Sequence, residues 1–316
     1  MSVRVASPRR ATLVIAALAL GGCASVAVRE NESATAEFAR TEFGVESAFN
    51  ATTDARATAE ARARELLAVP LAPAGALELA LRFSPAFQEL LADSAAASAA
   101  ATQSGRLPNP IFEWERLAAD HGAEIERALR LSLLDLLLLP RRASLADLQQ
   151  VQHRLRSAGD VVRTATEVRQ AWVDAVAAAQ SVKYAEQVRS AAEAGAELGR
   201  QMGAAGNFSR LERARQQAFY ADATAELGRA RLEATAARER LVRTLGLGPD
   251  LAQLLQLPER LPDLPEVPKA PDEVAKRAFE DRLDVRLARA ELGYGEKRVG
   301  LTRERRQVNV LIGGRL

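Results

Sequence analysis

This 316-residue chain is poor in residues that bind soft metals or form disulfides, with one cysteine, two histidines and two methionines. A lone cysteine excludes an intramolecular disulfide. His121 falls in a predicted loop and His153 on a predicted helix, and no spacing of His, Cys and carboxylates reads as a metal site. Aromatics make up 4% of the chain, which argues against a β-sandwich core rich in aromatic and β-branched side chains. After residue 22 no run of 18 apolar residues occurs, so no membrane-spanning helix is predicted. There is no glycine-rich phosphate loop and no Ser/His/Asp spacing, so no enzyme motif and no cofactor are expected. With 43 basic and 41 acidic residues the net charge is +2; this creates no field for a nucleic-acid partner. Proline is absent from 141 to 248.

What is present is alanine, about one residue in five, with 48% hydrophobic and 27% charged residues. That mixture points to long helices with thin apolar seams, and its apolar fraction excludes a disordered chain. Residues 1–22 read as a leader. Arg4, Arg9 and Arg10 precede the run Ala11 to Leu20, which is too short to span a bilayer. Leu20-Gly21-Gly22-Cys23 follows. Small residues before a cysteine resemble a bacterial lipobox, in which Cys23 becomes an acylated N-terminus. An ordinary signal peptide with an incidental cysteine is the other reading. Ala24, in place of Asp, is similar to a residue that permits outer-membrane sorting.

Residues 23–70 are polar and partly helical, Ala55 to Leu67 being the best helical stretch. From Pro73 to Gly105 the apolar positions follow a helical period, with a break expected near Phe83-Ser84 because Pro85 follows. Two segments then alternate with period two, 111–117 and 125–133. Phe112 and Trp114 share one face, as do Ile125, Leu129, Leu131 and Leu133, with Arg127 interrupting. Two antiparallel strands fit. Barrel strands with lipid on one side fit, and so does a soluble hairpin half-buried on a core.

Residues 141–246 are predicted to form a long antiparallel helical hairpin. Leu145 to Met202 as one helix would span about 87 Å. Its seam is read as Val151, Leu155, Ala158, Val162, Ala165, Val168, Trp172, Ala175, Ala179, Val182, Ala185 and Val188. The return helix, from about Arg210 to Leu245, is assigned an inner face of Leu211, Ala214, Ala218, Ala221, Ala225, Leu232 and Leu241. Ala205-Gly206-Asn207-Phe208-Ser209 forms the turn, with Gly206-Asn207 suited to a left-handed step and Ser209 to an N-cap. A proline-rich connector, 249–271, leads to a further helical segment, 272–316, in which Val308 to Ile312 reads as the start of a strand. Displacing the chain by 198 residues on itself aligns Ala80 with Ala278, Phe87 with Val285, and Pro110-Ile111-Phe112 with Val308-Asn309-Val310. A duplicated unit is implied.

Over about 71–316 the chain resembles the TolC-type outer-membrane factors, the exit ducts of tripartite efflux pumps and type I secretion systems. The resemblance rests on Ala80-Leu81-Arg82-Phe83-Ser84-Pro85, Leu107-Pro108-Asn109-Pro110, Ala205 to Leu211, Leu241 to Gly246, and Arg277 to Asn309. The lipobox fits the family's lipoprotein branch. The resemblance implies a mainly α fold: a long coiled-coil-like hairpin with a short barrel-type strand pair, 71–248 forming the first repeat and 272–316 beginning a second. It implies an outer-membrane location, lipid-anchored, with a periplasmic helical part. It also implies a homotrimer if complete, passive export, and a periplasmic adaptor and inner-membrane pump as partners. The adaptor would meet Ala205, Gly206, Asn207, Phe208 and Ser209, while outer-membrane lipid would meet Phe112, Trp114, Leu129 and Leu131. A full protomer of that family has two hairpins and four strands, so a partial, non-functional duct is expected. The competing reading is a lipid-anchored periplasmic coiled-coil interaction protein without a pore.

Overall fold

The computed structural model describes residues 23–119, 122–130, 132–264 and 270–313. The leader, Asp120, His121 and Leu131 lie outside them. Ten helices and two strands are described: α1 (Cys23–Phe43), α2 (Thr53–Leu67), α3 (Pro73–Phe83), α4 (Pro85–Ser104), β1 (Ile111–Ala119), β2 (Gly122–Arg130), α5 (Leu133–Leu137), α6 (Leu139–Ala204), α7 (Arg210–Leu245), α8 (Pro249–Ala252), α9 (Pro271–Asp281) and α10 (Leu283–Gly313). The fold is mainly helical, a partial TolC-like arrangement of one long hairpin and one two-stranded antiparallel sheet. The chain divides into two compact units. In its described residues one holds 23–35, 91–159 and 270–313; the other holds 36–90 and 160–264.

The second unit has the apolar core. Leu67, Leu71, Leu79, Val168, Trp172, Val176, Leu241 and Leu245 pack together there, each nearly or fully buried. The expected break falls at Ser84, whose extended backbone (φ −56°, ψ 122°) ends α3 because Pro85 disfavours a helical residue before it. Gly246 closes α7 in the left-handed region at φ 70°, with Gly246 N–H donating to Arg243 O and Leu247 N–H to Val242 O. Glycine is needed here twice over. A β-carbon would stand 3.1 Å from Ser84 Cα and run into the Pro85 ring. The segments around Ser84-Pro85 and Leu241-Gly246, distant in sequence, are thus one contact.

The hairpin seam is Ala-rich as expected, but its phase differs. On α6, Ala158, Ala165, Val168, Trp172, Ala175 and Ala185 are buried, and Val161 is buried where Val162 was expected. On α7 the buried series is Ala223, Leu227, Ala230, Ala237, Leu241 and Leu245. Of the predicted face only Leu241 is buried; the rest points outward, Leu211 and Leu232 being 60% and 73% exposed. Both series carry alanine at helical spacing, three and four in the predicted one and seven in the buried one, so propensity does not separate them. Leu241 decides, because counting back by sevens reaches Ala234, Leu227 and Tyr220.

The first unit is held more by polar contacts. Asn31 Nδ2 donates to Ser94 Oγ at 2.7 Å, and Ser94 Oγ meets Ser157 Oγ at 2.6 Å, linking α1, α4 and α6. Gln150 on α6 donates to Ser98 O and Thr102 Oγ1 and accepts from Ser98 Oγ. Gln152 donates to Ala290 O, and Gln149 to Tyr294 Oη, on α10. Buried amides and hydroxyls bonded in this way define helix register, since each would be costly to leave unpaired.

Three further expectations are corrected. The second strand is Gly122–Arg130, not 125–133, and Leu133 opens the short helix α5, where Ser132 Oγ accepts from Asp135 N–H. Val308 to Ile312 continues α10 instead of starting a strand. Three β-branched residues in a run of five are a weak preference, and helix propagation from Leu283 overrides it. The connector is not wholly extended: α8 opens it, and Leu251 and Leu255 enter the apolar core. α9 and α10 stand 198 residues beyond α3 and α4. α3 and α9 each have 11 residues with proline in the first turn, and Arg282 breaks the second pair (φ −58°, ψ 116°) as Ser84 breaks the first.

Candidate functional site

β1 and β2 each have nine residues and pair antiparallel from Ile111↔Arg130 to Ala119↔Gly122. Phe112 stands opposite Leu129 and Trp114 opposite Arg127. Alternation therefore sets positions 112, 114, 127 and 129 on one face, as expected, with the charge of Arg127 interrupting it. Phe112 and Trp114 are 66% and 59% exposed. Glu113 and Glu115 alternate to the other face, and Glu115 faces Glu126. Among the described residues the sheet has two strands only, so the outer edge of each is unpaired. A soluble protein rarely leaves a long edge with exposed aromatics.

The hairpin tip is built by backbone rules. Gly206 takes φ 81°, with its N–H donating to Gly203 O, while Asn207 N–H donates to Met202 O at 2.9 Å. This closes α6 with the left-handed glycine that the sequence suggested. Ser209 then caps α7: Ser209 Oγ accepts from Glu212 N–H at 3.2 Å, and Glu212 Oε2 accepts from Ser209 N–H at 2.7 Å. Ala205, Gly206, Asn207 and Ser209 are exposed and Phe208 is half-buried. Sequence reasoning missed what lets the helices converge behind this tip. Gly195, Gly199 and Gly203 form a stripe at four-residue spacing on α6. A β-carbon on Gly195 would lie 3.2 Å from Gln216 Oε1, and one on Gly199 3.4 Å from Gln216 Cγ. The spacing was visible in the sequence.

The reciprocal cap also holds the Glu212 carboxyl below its usual range, because the Ser209 N–H and hydroxyl favour the charged form. A lowered carboxyl contributes stability above its unfolded value and loses it as pH falls through the folded one. Ser209→Ala is expected to destabilise the hairpin by about 1 kcal/mol. It should also reduce the acid limb of stability without removing it, because the Ser209 N–H, the larger cause, is kept by alanine; an unchanged urea midpoint at neutral pH would refute the cap's importance.

Cys23 is the first residue of α1. Two turns on, Glu30 pairs with Arg154 at 3.1 Å and shares a cleft with Thr102, Gly105 and Ala143, near the strand ends of α4 and α6. Gly105 permits that approach, since a β-carbon there would stand 2.8 Å from Ala146 Cβ. Leu129 is placed by backbone register alone, and Leu131 falls outside the described residues. His153 is half-buried, and its pKa is lowered first by burial and then by Arg156. No group of three potential metal ligands occurs among the described residues, and no helix there is long and apolar enough to cross a membrane.

No protein-family model matches the chain, and no curated protein sequence matches it. Solved structures do. A membrane protein from Pseudomonas aeruginosa is 22% identical with a TM-score of 0.54, the match covering 77% of this chain and 57% of that one. The outer membrane protein VceC from Vibrio cholerae is 18% identical, also with a TM-score of 0.54, the match covering 73% of this chain and 58% of VceC. The likeness is one of fold, and the chain spans less than three fifths of the length of either protein.

Proposed function

We propose that this chain is the outer-membrane channel component of a tripartite efflux or type I secretion system, a passive export duct rather than an enzyme. The observation that carries this reading is the strand pair. Each strand is nine residues long, the length that crosses a bilayer when tilted. One face presents exposed aromatics, and the open edges call for further strands, because unpaired backbone in lipid costs several kcal/mol per group. The fold shared with two membrane proteins supports the same reading. In the assembled duct the further strands come from a full second repeat and from the other copies of a homotrimer. The matching geometry of α3–α4 and α9–α10 supports an internal duplication, 71–248 followed by 272–316. Ala205, Gly206, Asn207, Phe208 and Ser209 meet a periplasmic adaptor, itself joined to an inner-membrane pump. Cys23 is acylated, and the leader 1–22 is removed.

Two measurements test the reading. Cys23→Ala is expected to abolish incorporation of labelled palmitate in a bacterial host, and undiminished labelling would remove the anchor. The chain joined to a full second repeat, purified from outer membranes and added to a planar bilayer, is expected to give discrete conductance steps from an oligomer. A membrane-bound, stably folded monomer without conductance would leave the pore-free coiled-coil reading in its place.

A further inference from the structure

The strand-side end of the first unit carries an apolar and a basic surface side by side. In α5, Leu133, Leu136 and Leu137 are 71%, 46% and 70% exposed, while Leu138 is buried and holds the turn down. Such leucines on so short a helix have no use in water. Their position is fixed by charge. Arg142 donates to Asp135 Oδ1 at 3.2 Å and, through Nε and Nη2, to Ser104 O at 3.1 and 2.9 Å, clamping α5 across the end of α4.

Beside this clamp lies a cleft of about 510 Å³ between α6 and α10. Tyr294, Arg298, Leu301 and Arg305 line its α10 wall at spacings of four and three, so they form one stripe. Asp135, the carboxylate on the opposite wall, is taken by Arg142, and the neighbouring Glu304 by Arg141 at 3.0 Å. Arg298 and Arg305 are exposed, and among the described residues neither forms an ion pair with a carboxylate. Arg303 and Arg306 add to the excess of positive charge along the same helix.

We infer that this surface seats the headgroups of anionic phospholipids at the membrane face, Arg298 and Arg305 binding the phosphodiesters while Leu133, Leu136 and Leu137 enter the acyl boundary. The inference rests on the reading of β1 and β2 as membrane-entering strands. The charge complementarity is specific. Guanidinium forks match phosphate oxygens in pairs, and their long stems let the charge stay at the interface while nearby apolar groups go deeper. Phe112 and Trp114, on the strand that follows α4, are exposed as well.

The test is cosedimentation of the full chain with vesicles of phosphatidylcholine alone or mixed with phosphatidylglycerol, in wild type and in Arg298→Gln/Arg305→Gln. A basic side chain near an anionic surface is worth about fivefold in binding, so the preference for phosphatidylglycerol is expected to fall about 25-fold in the double variant. The leader and any acyl group act equally on both proteins and cancel in this comparison. Arg210→Gln/Arg215→Gln removes the same charge from α7 and should leave the preference intact. Leu133→Ser/Leu137→Ser should weaken binding to both vesicles and preserve their ratio. An undiminished preference in Arg298→Gln/Arg305→Gln, or an equal loss in the α7 control, overturns the inference. Displacement by inorganic phosphate at matched ionic strength overturns it as well, because it makes the site one for free anions. Failure of the duct reading registers separately, as absent conductance with the vesicle preference retained.

Discussion

Trp172→Ala is expected to lower the unfolding free energy of the unit containing 36–90 and 160–264 by about 4 kcal/mol, the cost of emptying a large aromatic site in a packed core. Trp172 is 2% exposed and the largest fully buried side chain. Its indole Nε1 donates to Leu71 O at 2.7 Å, while the Leu71 N–H donates to Gln256 O at 2.9 Å. One side chain on the long helix therefore ties the turn between α2 and α3 to the segment after α8. Removing it opens a cavity and leaves a buried carbonyl unpaired. Trp172→Phe keeps most of the volume and loses only the bond, so about 1–2 kcal/mol is expected. Urea unfolding followed by circular dichroism separates the two variants. A loss below 1 kcal/mol for alanine would show that the three segments hold together without it. The only other tryptophan, Trp114, is in the exposed strand face. The blue-shifted part of the emission should therefore vanish with Trp172.

The parts of this fold legible in the sequence are those set by single residues with one backbone preference. Pro85 dictated the break at Ser84, Gly206 the left-handed step, and Ser209 the cap, and each stands where its chemistry requires. The strand pair was legible from alternation, but its ends were not. Leu131 and Leu133 extend the apolar pattern past Arg130, and only the cap by Ser132 shows that α5 begins there. The face of α7 was illegible for a different reason. Alanine at 214, 218, 221 and 225 satisfies helical spacing as well as alanine at 223, 230 and 237 does, and the core around Leu241 and Leu245 makes the choice. Part of the interior of the first unit escaped the sequence reading because that part is polar. Asn31, Ser98, Gln152 and Ser157 are buried and hydrogen-bonded, a pattern that hydrophobic periodicity passes over. Of the candidate site, the tip and the strand face were legible. The glycine stripe was visible as a spacing, but its part in the helix approach behind the tip, like the arginine cleft of α10, emerges only once helices are neighbours.

Phe112→Arg/Trp114→Arg is expected to remove the strand pair from the membrane. Each arginine on a lipid-facing barrel position costs about 2–4 kcal/mol at mid-depth and less near the interface. Two together shift a partition by several hundredfold or more at mid-depth. Acyl chains could hold the protein at the membrane whatever its strands do, so the comparison belongs in a Cys23→Ala background. There the parent is expected to resist carbonate extraction from outer membranes, and the double variant to be released. Glu115→Arg is the control. It changes charge one residue away on the opposite face and sets a cation across from Glu126, where two carboxylates now stand opposed. An ion pair across the strands replaces a repulsion, so pairing is favoured and membrane retention should hold. The pair of results isolates the face from the charge. If both arginine variants are released, the strands are sensitive to any cation and neither face is specific to lipid. If neither is released, Phe112 and Trp114 rest against protein instead, and the open strand edges are closed by a partner in water.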